Sequence, residues 1–132
     1  MKKLFLVILI IIGLSFIFGC VTEQEEGITI SLKNLSTDKA LYHSSENVNL
    51  IAMIYSKSAL ENVTVMANGI NERLNEKRIL NLKKGLNEIH FSYKLPRCNV
   101  CGGIRAGNYN LSCMAIYKNT TAEKSITINI QQ

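Results

Sequence analysis

From Ile28 onward, most of this 132-residue chain alternates apolar with polar residues, in short runs separated by turn formers. That period belongs to strands with one buried and one wet face, and a helix cannot gather it into a single stripe. Ile28, Ile30 and Leu32 alternate with Thr29, Ser31 and Lys33. In NVNLIAMIY, Val48, Leu50, Ala52 and Ile54 share one side, and Ile51, Met53 and Tyr55 make the other side apolar enough to predict a central strand. NVTVMA sets Val63, Val65 and Ala67 against Thr64 and Met66, and Asn68-Gly69 then supplies residues that tolerate positive φ at a turn.

The stretch INERLNEKRILNLKKG mixes helical and strand spacings and reads as a loop followed by a short strand near residues 77–82. Beyond Lys84-Gly85, Ile89, Phe91 and Tyr93 point inward while His90, Ser92 and Lys94 point outward, until Pro96 stops the ladder. Tyr109, Leu111, Cys113, Ala115 and Tyr117 share a face in the next run, and Ile126, Ile128 and Ile130 share one in the last. STDKALYHSSEN, dense in turn formers, reads as a connection. About seven short strands with frequent turn signals predict an all-β domain over residues 28–132, a two-sheet antiparallel sandwich.

The segments GLNEIHFSYKLP and AGNYNLSC resemble successive strands of immunoglobulin-like and fibronectin type III-like domains. The resemblance implies that Tyr109 is a tyrosine-corner residue whose hydroxyl returns to the backbone upstream. Leu111 stands where an antibody domain has its second core cysteine. With no cysteine in the second strand and no tryptophan anywhere in the chain, this is not an antibody-type domain.

Ahead of the domain, MKKLFLVILIIIGLSFIFGC places Lys2 and Lys3 before an apolar run from Leu4 to Phe18. This predicts an export signal or signal-anchor helix over residues 1–19. The run falls short of the roughly 20 apolar residues that comfortably span a bilayer, which favours cleavage. Ile17-Phe18-Gly19-Cys20 resembles the lipobox of prokaryotic lipoproteins, which implies cleavage after Gly19 and lipidation of Cys20; Phe18, where a small residue is usual, leaves an uncleaved anchor open. In either case the leading lysines send the remainder of the chain outward, to the extracellular face of the cell membrane. Residues 20–27 contain Glu23, Glu25 and Glu26 and read as an acidic tether. The lipobox-like segment, the Ile/Lys/Asn-rich usage and the sandwich together resemble small exported lipoproteins of methanogenic archaea. Loss of Lys2 and Lys3 would lower the net charge from +5 to +3, a surplus too small to point to nucleic acid.

The sequence offers little from which to build catalysis. It holds two histidines, His43 and His90, and neither a G-x-S-x-G elbow nor an H-E-x-x-H zinc motif. GGIRAG lacks the Lys-Ser/Thr ending of a phosphate loop. Asn34, Asn62, Asn110 and Asn119 each begin an N-glycosylation sequon, with Asn119 in the predicted turn YKNTT the most accessible. The expectation is therefore a non-enzymatic surface module for binding or cell-envelope architecture, with an envelope protein or a glycan as partner. Its expected contact surface is the loop over residues 95–106, with Arg97 and Arg105.

The remaining cysteines leave alternatives. Cys98-x-x-Cys101 with Cys113 is one ligand short of a structural zinc site, and zinc would need His43, His90 or a carboxylate as the fourth. No helix follows Cys101 to lower a thiol pKa as in thioredoxin-like proteins. Exported thiols tend to pair, so a Cys98–Cys101 clip with a free, inward Cys113 is the economical arrangement; pairing of either cysteine with Cys113 would leave an exposed thiol. Mass spectrometry with thiol counting on the purified chain should find the Cys98–Cys101 peptide two protons light and no bound zinc. Three free thiols holding one zinc would support an exported thiol or metal protein instead.

Overall fold

The computed structural model describes residues 30–97 and 103–132. The apolar segment 1–19, Cys20, the tether, and Cys98 and Cys101 lie outside the described residues. The described chain is all β, in eight strands: β1 (Ile30–Thr37), β2 (Leu41–His43), β3 (Asn47–Ser56), β4 (Leu60–Gly69), β5 (Leu74–Leu82), β6 (Gly85–Lys94), β7 (Gly107–Tyr117) and β8 (Thr120–Gln131). They form two sheets, one in the order β1-β3-β6 and the other β2-β8-β7-β4-β5. β3 is the central strand of the first sheet, as its two apolar faces required.

The inner faces make one core. Val48, Leu50, Ala52 and Ile54 from β3, with Ile89 and Phe91 from β6, are buried with Val63, Val65 and Ala67 from β4, Leu111, Cys113 and Ala115 from β7, and Ile128 and Ile130 from β8. Each fully buried Leu, Ile or Phe contributes about 1.5–3 kcal/mol relative to exposure, so this shared face is the main source of cohesion. Two bulges reset the alternation. Lys33 is the extra residue between Leu32 and Asn34, so the buried positions run 30, 32 and 35; a second irregularity between Leu60 and Val63 holds Asn62 at φ 58°.

Three expectations change. The stretch read as a connection contains β2, whose Tyr42 is fully buried and which pairs in parallel with β8 at Leu41–Asn129 through His43–Gln131. One lone aromatic flanked by turn formers has no period to reveal it, and the ladder it joins lies almost ninety residues further on. Among the described residues the sandwich therefore has eight strands and one parallel pairing. Finally, β5 runs from Leu74 rather than from near Lys77, because Leu74, Glu76, Arg78, Leu80 and Leu82 all turn toward the core side. Arg78 survives there because its guanidinium lies 4.8 Å above the Phe91 ring and its Nε donates to Glu76 Oε1 at 2.7 Å. These inward charges also discourage another chain from pairing with the open β5 edge.

A polar clip secures β2. Tyr42 Oη donates to Asp38 Oδ1 at 2.6 Å and accepts from the Lys39 N–H at 3.1 Å; the Asn49 N–H donates to the same Asp38 oxygen at 3.1 Å. Burial pushes the Asp38 carboxyl up, but the hydrogen bonds from Tyr42 and Asn49 outweigh it and hold the group below its ordinary 3.8. A carboxyl more acidic in the folded than in the unfolded chain stabilises the fold above about pH 4, and loses that contribution as pH falls through the lowered value. The urea midpoint of the wild type should therefore exceed that of Asp38→Asn at pH 6, with the gap closing toward pH 2. A gap constant across that range would show that Asp38 is not held ionised by this clip.

Candidate functional site

The sequence-predicted groups are dispersed. His43 and His90 are exposed on β2 and β6, beside Glu46 at 3.9 Å and Glu88 at 2.6 Å. Neither lines the two concavities at the β4–β5 turn. Among the described residues, no group of three or more His, Cys, Asp or Glu is placed to hold a metal. Cys113 faces the core from β7 and is fully buried, and its apolar surroundings push the thiol up to about 11. The thiol is thus protonated and shielded at neutral pH, and it behaves as a small hydrophobic group.

The four sequon asparagines are all exposed. Asn34 follows the β1 bulge and Asn62 sits in the β4 bulge; Asn119 is the second residue of the two-residue β7–β8 turn, after Lys118 at φ 50°. Asn110 differs from these because it lies mid-sheet on β7, with its Oδ1 accepting from Thr127 Oγ1 at 2.9 Å. Tyr109 is buried, and its hydroxyl donates to the Arg105 carbonyl at 2.8 Å, four residues upstream, the geometry of a tyrosine corner.

The ends of the loop over residues 95–106 are anchored. Leu95 and Ile104 are both buried, and the Leu95 N–H donates to the Glu46 carbonyl at 2.9 Å. Arg73 Nη2 reaches the Gly103 carbonyl at 3.3 Å from the turn that joins β4 to β5. A cleft of about 310 Å³ remains beside it, lined by Asn71, Arg73, Gly103, Ile104, Arg105 and Tyr109.

The larger concavity lies on the opposite side of the same turn, against the outer face of the five-stranded sheet. It is a trough of about 630 Å³ whose lining includes Asn68, Asn75, Asn110, Ser112 and Ser125, with Glu72 and Glu123. The strand register builds its floor: Asn75 on β5 pairs with Asn68 on β4, which pairs with Ser112 on β7, which pairs with Ser125 on β8. Four amide and hydroxyl side chains thus stand in one row across four strands, spanning about 14 Å at the usual strand spacing. Sequence reasoning missed this row because each member is merely the polar partner of a buried neighbour on its own strand. The signal was the run of Asn and Ser at outward positions, but only the pairing of non-consecutive strands brings them together.

No protein-family model matches the chain, and no curated protein matches it. Solved structures do. The chain is similar to the CARDB domain of a Pyrococcus furiosus protein solved in complex with di-metal ions, at 8% identity and a TM-score of 0.58 over 80% of this chain and 90% of that one. It is also similar to part of a Paenibacillus cycloisomaltooligosaccharide glucanotransferase complexed with cycloisomaltoheptaose, at 13% identity and a TM-score of 0.60, covering 76% of this chain and 14% of the enzyme. A third match is to the Pseudomonas fluorescens alkylpurine DNA glycosylase AlkC, at 11% identity and a TM-score of 0.56 over 80% of this chain and 31% of that one. At such identities the likeness concerns the fold alone: the domain is an immunoglobulin-like β-sandwich.

Peptide mapping after alkylation at pH 8 should find Cys113 unmodified in the native protein and fully modified in 6 M guanidinium. Rapid native labelling would mean that the core opens at β7 or that the thiol is activated.

Proposed function

We propose that this chain is an exported, membrane-anchored immunoglobulin-like module that acts without catalysis, through binding or cell-envelope architecture. The observation that carries this reading is the polar trough, a concave surface built on four strands with Glu72 from the β4–β5 turn, whose described lining residues include no nucleophile-base pair. The lysine-led apolar segment supports export, and the lipobox-like Ile17-Phe18-Gly19-Cys20 supports a lipid anchor on Cys20. An uncleaved apolar segment would hold the domain at the same face. The resemblance to small lipoproteins of methanogenic archaea belongs to this reading, as do N-glycans at exposed sequons, foremost Asn119. The alternative of a thiol-disulfide or metal protein using Cys98, Cys101 and Cys113 is disfavoured by the burial of Cys113.

Expression of the full chain with a C-terminal epitope in an archaeal host tests the proposal. External protease should remove the epitope from intact cells, while the chain partitions with membranes. Cys20→Ser should release the protein if a lipid is the anchor and leave it bound if the apolar segment is retained. An epitope that resists protease until the cells are lysed would sink the surface reading.

A further inference from the structure

The trough is chemically one-sided in a way that specifies a ligand class. On the same sheet face, Asn129 Nδ2 donates to Asn108 Oδ1 at 2.8 Å, and Thr127 donates to Asn110. In that half of the face the side chains bond to one another across the β7–β8 pair. The adjoining row does not: the side chains of Asn68, Asn75, Ser112 and Ser125 make no hydrogen bond to another described residue, and Glu72 and Glu123 form no ion pair among the described residues. The row presents amide donors, amide acceptors and hydroxyls side by side, with a carboxylate acceptor from each of two elements, the β4–β5 turn and β8.

We infer that this trough binds a neutral glycan segment, with Asn68, Asn75, Ser112 and Ser125 hydrogen-bonding its hydroxyls and Glu72 and Glu123 excluding anionic sugars. A hydroxyl both donates and accepts, and an amide side chain offers both functions in one plane, so a row of amides and hydroxyls matches a polyhydroxylated chain. Charge favours the same ligand class independently of the hydrogen bonds. On a chain whose net charge is +5, the described residues that line the trough include two carboxylates and no lysine or arginine. A phosphate, sulfate or uronate would meet repulsion from Glu72 and Glu123. An apolar peptide would strand the polar row without partners, an unfavourable desolvation. The volume is in the range that holds a small ligand, about 300–1,000 Å³.

The inference rests on the binding-module reading and names the ligand of that surface. The test uses the full chain, made in a host that adds no N-glycans and kept in a detergent without a sugar headgroup. Neutral tetrasaccharides of glucose, mannose, galactose or N-acetylglucosamine are titrated while the Asn side-chain amide signals are followed by NMR. At least one of them should shift Asn68 and Asn75 saturably and leave the mutually bonded Asn108 and Asn129 in place. The same sugar carrying a glucuronate or a phosphate should bind at least tenfold more weakly, and Glu72→Gln with Glu123→Gln should narrow that gap. Asn68→Ala with Asn75→Ala should weaken the neutral sugar at least tenfold while the rest of the spectrum stays native. The glycan assignment is overturned if no neutral tetrasaccharide moves Asn68 and Asn75 at millimolar concentration, or if the anionic sugars bind as well as the neutral ones. A chain exposed on the cell but silent to the panel loses only its ligand; a responsive chain found inside the cell loses the surface reading and keeps the trough chemistry.

Discussion

The structure depends on the apposition of two inner faces, one led by Val48, Leu50, Ala52 and Ile54 and the other by Val63, Val65, Ala67, Leu111 and Cys113. Because side chains alternate along a strand, committing one face to the core commits the other to water, residue by residue. Burial on the inside therefore fixes what the outside can present. At the trough, Asn68 and Ser112 stand outward because their chain neighbours Ala67, Leu111 and Cys113 are buried. The trough is a product of the same alternation that builds the core.

Where that alternation was unbroken, the fold was legible in the sequence. β3, β6 and β7 follow their periods, and the apolar second face of β3 marked it as the centre of its sheet. The reading failed where local chemistry replaced periodicity. Tyr42 is held by Asp38 and the Lys39 N–H rather than by an apolar pattern, and Arg78 hides an inward position behind a charged name. Bulges at Lys33 and near Asn62 shift the phase by one residue, which a template of strict alternation cannot follow. Of the site, the sequence showed the polar residues but not their alignment, since Asn68 and Ser112 lie 44 positions apart and meet only through the β4–β7 pairing.

The histidines and Cys113 show how differently one residue type behaves when its surroundings are known. His43 and His90 each have an acidic neighbour, yet both stand exposed, where a nearby carboxylate does little to organise chemistry. Cys113 has the opposite fate. Its position on an inward register point of β7 removes it from water, and desolvation alone carries its thiol to about 11. A residue that in sequence looks like the third member of a reactive cluster belongs physically to the core.

Gly69 joins the packing to the surface it supports. It ends β4 opposite Leu111, and a Cβ built there would lie 2.5 Å from the Asn110 carbonyl oxygen and 2.9 Å from Leu111 Cα. Backbone atoms cannot yield as a flexible side chain would, so any larger residue must push β4 away from β7. That displacement would act at the middle of the row, where Asn68 meets Ser112, and at the Ile70 N–H bond to the Asn110 carbonyl at 3.2 Å. The turn beyond it holds Ile70, Asn71 and Glu72 at positive φ, with Ile70 fully buried as its anchor, and so sets where Glu72 stands over the trough. The close approach of β4 to β7 is thus a condition of the site as well as of the core: the strands must be this near for their outward amides and hydroxyls to act as one row.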